Sequence, residues 1–184
     1  AVPLLSRLSP DQALPILIRA LRAEEDPATL QTVATQAEAN FAVFLDLVLG
    51  LALEGEEAVL ITRVARYIHH ADLPRILPLL ARDRTPMVRA AVATLWSKRP
   101  DLLDERGLAD MSADPAVAVR SAAVAAWAAA GLFDRAAAMV EDPDPGVRLA
   151  LAVALVRAPL APALAMLAAD PAEEVRAAAH IARL

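Results

Sequence analysis

His69 and His70, with Asp72 close behind, are the residues here whose types most readily suggest chemistry, because imidazole nitrogens and carboxylates bind divalent metals. Adjacent residues on a helix point about 100° apart, so two neighbouring histidines do not easily share one ion. A simpler role lies at a helix terminus, where an imidazole complements the negative end of the dipole. His180 stands alone, and no metal site is expected. Acidic pairs occur at Glu56 and Glu57, Asp104 and Glu105, and Glu173 and Glu174. General acid–base work needs a carboxyl held in a pocket with a shifted pKa. Pairs near helix starts are better explained by the dipole.

The absence of cysteine excludes disulfides, thiolate metal sites and cysteine nucleophiles, and it fits a reducing, cytoplasmic compartment. Five scattered glycines form no phosphate-cradling loop, and neither a nucleophile elbow nor a metalloprotease helix motif is present. The expectation is a chain with no catalytic residue and no cofactor.

Cations offer more. Arg82, Arg84 and Arg89, followed by Lys98 and Arg99, make the densest basic neighbourhood, and Arg63 and Arg66 could extend it. Such a cluster suits an acidic partner, a phosphate or an anionic headgroup. Arg63, Arg66, Arg84 and Lys98 are the residues expected to touch a partner. Nucleic acid is disfavoured: the net charge is −5, with 9 basic and 11 acidic residues up to Val92 and 9 and 12 after it. A nucleic-acid binder concentrates Lys and Arg on one face to neutralise phosphates.

These side chains must be carried by elements built from small aliphatic residues. Of 184 residues 58% are hydrophobic but only 3% aromatic, which favours closely stacked helices over a β-sandwich. The weakly polar run 149–169 contains Arg157, Pro159 and Pro162, whereas a membrane-spanning helix needs about 20 uninterrupted apolar residues. Two short helices joined at Ala158 and Pro159 fit it better. The stretch 41–53 is too short to span and carries Asp46. No transmembrane segment and no signal peptide are expected. The start at Ala1 without an initiator Met suggests a portion of a longer protein.

The strongest signal is repetition. Asp83, Asp114, Asp142 and Asp170 are each followed, after five residues, by Arg89, Arg120, Arg148 and Arg176, with valine immediately before each arginine. The aspartates recur at intervals of 31, 28 and 28 residues, enough for two helices of three to four turns and two tight turns. Fainter echoes occur at Glu25, Asp26 and Pro27 and at Glu54 and Gly55. Repeats are drawn at 9–39, 40–70, 71–98, 99–130, 131–158 and 159–184, all within a single domain, 1–184.

Asp-Pro is expected to open each second helix, the carboxylate capping orphan amides and proline occupying the first helical position. Ser9, Pro10, Asp11 and Gln12 open the first helix in the same manner, and Gly131 stops a helix. Trp96 and Trp127 each lie seven residues after a repeat arginine, the place of Leu155 and, approximately, Tyr67. Equivalent places imply a buried layer between hairpins; the alternative is an exposed aromatic stripe that grips a partner. Arg183 in the last such slot suggests an end cap or a truncated array.

This pattern resembles HEAT repeats, in particular the short bacterial kind also found in phycobilisome lyase-like proteins, over nearly the whole chain and most strongly from Ala71 onward. The resemblance implies a right-handed α-solenoid of about six helical hairpins. It also implies a structural ladder in which the turn aspartates Asp83, Asp114, Asp142 and Asp170 and the arginines Arg89, Arg120, Arg148 and Arg176 link successive repeats. The function expected is that of a non-catalytic scaffold docking another protein or peptide segment on its concave face, as part of a larger or membrane-associated bacterial protein. The alternatives are a HEAT-like enzyme or ligand-binding module: DNA alkylpurine glycosylase-like, bilin lyase-like, or a binder of a nucleotide second messenger. Oligomeric state is left open.

Overall fold

A computed structural model describes residues 12, 27–42, 44, 59, 62–158 and 160–182. Every element among them is helical, and no strand occurs there. In chain order they are α1 (Pro27–Ala39), α2 (Leu73–Leu80), α3 (Pro86–Lys98), a 3-10 turn (Pro100–Leu102), α4 (Glu105–Ser112), α5 (Val117–Ala129), α6 (Phe133–Ala137), α7 (Pro145–Ala154), α8 (Ala161–Leu167) and α9 (Glu173–Ile181). None of these helices is long and apolar enough to cross a membrane. Ser9, Pro10, Asp11, Glu25, Asp26, Asp46, Glu54, Gly55, Glu56, Glu57, Pro159 and Arg183, all named in the sequence analysis, lie outside the described residues. Two compact units are formed, one up to Leu95 and one from Trp96 onward.

In the second unit α5 packs against α4, α6 and α7, while α7 also meets α8 and α9, and α8 meets α9. The helices alternate between short members, α4, α6 and α8, and alanine-rich ones, α5, α7 and α9. Valine before the repeat arginine is the constant of the packing: Val119, Val147 and Val175 are all fully buried, as is Val88 in the first unit. Around them lie Leu108, Met111, Ala123, Trp127, Leu151, Leu155, Leu164, Leu167 and Ala179. Burying each Val or Leu stabilises the fold by roughly 1.5–3 kcal/mol. The alanines between them let helix axes come close.

The turns differ from the expected Asp-Pro opening. Asp114 and Asp170 lie two residues before the N-cap positions of their helices, and Pro115 and Pro171 sit in the turn and not at the first helical position. The reason is local: each aspartate Oδ1 accepts the amide two residues on, from Thr85, Ala116, Asp144 and Ala172, which closes a side-chain turn before the helix begins. Proline does stand at the first helical position where the sequence puts one three residues after the aspartate, at Pro86 and Pro145.

Gly131 ends α5 with φ +77°, a backbone shape that L side chains rarely adopt. The Leu132 amide donates to the Trp127 carbonyl and the Gly131 amide to that of Ala128, so a Schellman turn satisfies the helix end.

In the first unit Val33, Ala34, Ala37, Phe41, Phe44, Val64, Ala65 and Ile68 are buried, as are Leu73, Ile76, Leu77 and Leu80 of α2. Phe41 and Phe44 pack with ring centroids 5.7 Å apart. The His69 amide donates to Glu38 Oε1 at 2.9 Å. The His70 ring stacks on Phe41 with centroids 3.6 Å apart and planes 9° from parallel. Both histidines lie beyond the last helical turn, and His70 Nδ1 accepts the Asp72 amide at 3.2 Å.

Candidate functional site

The repeat arginine is held by its own turn. Its Nη1 donates to the carbonyl of the aspartate six residues earlier: Arg89 to Asp83 at 2.8 Å, Arg120 to Asp114 at 2.9 Å, Arg148 to Asp142 at 2.7 Å and Arg176 to Asp170 at 2.7 Å. A buried carbonyl that would otherwise lack a partner is thereby satisfied by a charged donor.

The opposite edge of the guanidinium reaches the next aspartate. Arg120 Nε and Nη2 donate to Asp142 Oδ2 and Oδ1 at 2.7 and 2.9 Å, and Arg148 makes the same fork to Asp170 at 2.6 and 3.0 Å. Side-chain exposure is 12% and 6% in the first pair and 12% and 5% in the second. Each bridge links one hairpin to the next: Arg120 on α5 meets the turn before α7, and Arg148 on α7 meets the turn before α9. The planar fork suits a carboxylate in a way lysine could not.

Ionisation follows this geometry. At Asp142 burial opposes the charge, but the hydrogen bond from Arg120, the Asp144 amide and the charges of Arg120 and Arg148 outweigh it and hold the carboxyl below its usual range. At Asp170 the Arg148 hydrogen bond dominates over burial and, with the Ala172 amide, depresses the carboxyl as well. Arg120 and Arg148 are pushed up, chiefly by the hydrogen bonds to their aspartates. These groups are charged, saturated and structural in environment.

A different surface runs across the second unit. An open groove of ≈ 510 Å3 is lined by Ser97 and Lys98 from the end of α3, by Ala125, Ala128 and Ala129 on α5, by Ala150, Val153 and Ala154 on α7, and by Val156 and Arg157 just beyond. On α5 and α7 these positions follow one helical face. Val153 is 59% and Val156 50% exposed, well above the level of the core.

Of the four residues expected to touch a partner, Lys98 lines this groove. Arg63, Arg66 and Arg84 belong to the first unit and are exposed; the Arg66 guanidinium sits over the Tyr67 ring at 5.6 Å. The basic neighbourhood is thinned by local pairing. Arg99 forks onto Asp101 with Nη2 at 2.7 Å from Oδ2, and Arg89 is tied to its own turn. In the sequence Arg157 stands out only as a break in an apolar run, and Val153 not at all. The readable signal was a helix without carboxylates: α3, α5 and α7 contain no Asp or Glu.

Trp96 and Trp127 are both buried. Trp127 Nε1 donates to Ser112 Oγ at 2.9 Å, whereas Trp96 Nε1 is buried with no hydrogen-bond partner among the described residues. Gly107 leaves room for Trp96, since a Cβ there would stand 3.1 Å from its Cη2. No group of three or more potential metal ligands occurs among the described residues. No protein-family model matches the chain, and no curated protein does.

Proposed function

We propose that this chain is a non-catalytic interaction scaffold: a right-handed α-solenoid of about six HEAT-like hairpins that docks a segment of another protein on the face formed by its second helices. The reading rests on one observation above all. The same Asp-to-Arg unit recurs with the same hydrogen bonds, and forked bridges from Arg120 to Asp142 and from Arg148 to Asp170 join consecutive hairpins. Arrays joined in this manner gain stability from neighbour interfaces and offer a preformed surface, which lowers the ordering cost of binding. Among the described residues, Arg120, Asp142, Arg148, Asp170 and Arg99 have displaced pKa values, each chiefly or partly through an ion-paired hydrogen bond, which gives them structural work. We further propose that the protein works in the cytoplasm, as part of a larger bacterial protein.

A photo-crosslinking amino acid at Val153 tests this reading when compared with one at Arg135, exposed on α6. In cells that make the full-length protein, adducts with a protein are expected from Val153 and not from Arg135. Equal labelling from both positions, or none from Val153, would overturn the docking face.

A further inference from the structure

We propose that the groove of the second unit takes an acidic amphipathic helix of a partner protein, its apolar face on the alanine floor and Val153, its carboxylates on Lys98 and Arg157. This rests on the docking role above and names the chemistry of the occupant.

Charge is the first reason. The chain as a whole is acidic, at −5, yet α3, α5 and α7 carry no carboxylate at any position. Arg120 and Arg148 on these helices are neutralised by Asp142 and Asp170, so they add no free charge to the groove. The lining itself holds Lys98 and Arg157 and no acid. Both cations are exposed, and neither forms an ion pair with a described residue. A cationic groove favours an acidic partner segment and selects against a basic one.

Shape is the second reason. Ala125, Ala128, Ala129, Ala150 and Ala154 present methyl groups only, so another backbone can approach closely, while Val153 and Val156 supply apolar surface. The floor spans the ends or faces of three helices. The packed pair α5 and α7, each about 10 Å in diameter, makes a floor roughly 20 Å across. At 1.5 Å per residue, about 12–14 residues of helix cross it. An amphipathic helix of that length lays anchors at i, i+3, i+4 and i+7 into such a groove, with its charged residues at the rim. A nucleic acid would meet two cations on an otherwise acidic body, too few for phosphate-driven binding.

The test is selection from a display library of random 16-residue peptides against the immobilised full chain, with binding of the winners measured by fluorescence anisotropy. Enriched peptides are expected to be acidic with apolar residues at helical spacing. Each exposed ion pair contributes up to about fivefold, so Lys98→Glu with Arg157→Glu is expected to weaken binding more than about tenfold. Raising salt from low to high concentration should weaken the unmodified complex as well, a readout independent of any variant. Val153→Asp should abolish binding by placing a carboxylate on the apolar floor.

No enrichment above the bare matrix, enrichment of basic peptides, or winners indifferent to both charge reversal and salt would overturn the inference. Tighter binding of a labelled 16-nucleotide single strand, lost with the same charge reversals, would replace it with nucleic-acid recognition. Adducts from Val153 with a protein whose captured segment is neutral or basic would sink this inference while leaving the scaffold reading intact.

Discussion

The seam and the groove of the second unit use the same kind of side chain to opposite ends. Arg120 and Arg148 are enclosed, each guanidinium bonded on one edge to its own turn and on the other to the next aspartate. Lys98 and Arg157 stand at the groove with their charges turned to solvent. A cation that closes the fold must have every donor answered, because an unanswered buried charge costs several kcal/mol. A cation that serves a partner must not. The difference predicts that seam substitutions act on stability and groove substitutions on binding.

The largest effect is expected at the seam. Arg148→Met removes the fork and leaves Asp170 buried and charged, with a loss of about 3–5 kcal/mol in denaturant unfolding followed by circular dichroism. Arg148→Lys should recover only part of it, since a point charge cannot replace the fork. If Arg148→Met unfolds at the same denaturant concentration as the unmodified chain, the seam does not hold the hairpins together.

Acid should dissect the same seam. Asp142 and Asp170 have folded pKa values below the usual carboxylate range, and an unfolded aspartate titrates near about 3.9. In that window the unfolded chain binds more protons, so stability rises with pH. The contribution is fully present well above pH ~4 and is lost as pH falls through the depressed folded values. Asp142→Asn is expected to flatten the acid limb of a stability–pH profile, and Lys98→Glu to leave that limb unaltered in this respect.

The tryptophans give a smaller contrast. Trp127→Phe removes the donor to Ser112 Oγ, whereas Trp96→Phe removes a buried N–H that has no described partner. Both lose volume, so both should destabilise, but Trp127→Phe by about 1 kcal/mol more. Equal losses in parallel thermal melts would show that Trp96 Nε1 has an acceptor after all. The smallest stability change is expected in the groove: Lys98→Glu and Arg157→Glu should each shift unfolding by no more than about 0.5 kcal/mol.

The repetition of the seam is legible from residue spacing, while the linking of successive repeats through it is what the resemblance to HEAT repeats implies. Aspartate, valine and arginine recur at fixed offsets because each residue type has one job that no other does as well: amide capping, full burial and a planar fork. The helical class follows from the alanine-rich, aromatic-poor composition. Asp-Pro reads as the opening of a helix, which places the helix starts two residues early. In the folded chain the carboxylate is occupied two residues on, and Pro115 and Pro171 remain in the turn.

The groove was only partly visible, through Lys98. Its other parts, Ala125 on one side and Val153 and Arg157 on the other, lie about one repeat apart and come together through packing alone, and alanine carries no local signal of exposure. The stacking of His70 on Phe41 is hidden for the same reason, since no spacing rule connects two residues 29 positions apart at the ends of one repeat.

Asp142 and Asp170 are each a three-way joint, since the carbonyl serves the arginine of its own turn while the carboxylate serves both the amide two residues on and the arginine of the preceding hairpin. Such a joint makes the 28-residue stretch from one aspartate to the next an interchangeable cassette. Excising residues 142–169 would hand Arg120 the carboxylate of Asp170, set in a turn of the same chemistry. Gene duplication or deletion at that period could therefore lengthen or shorten the chain without inventing a new interface.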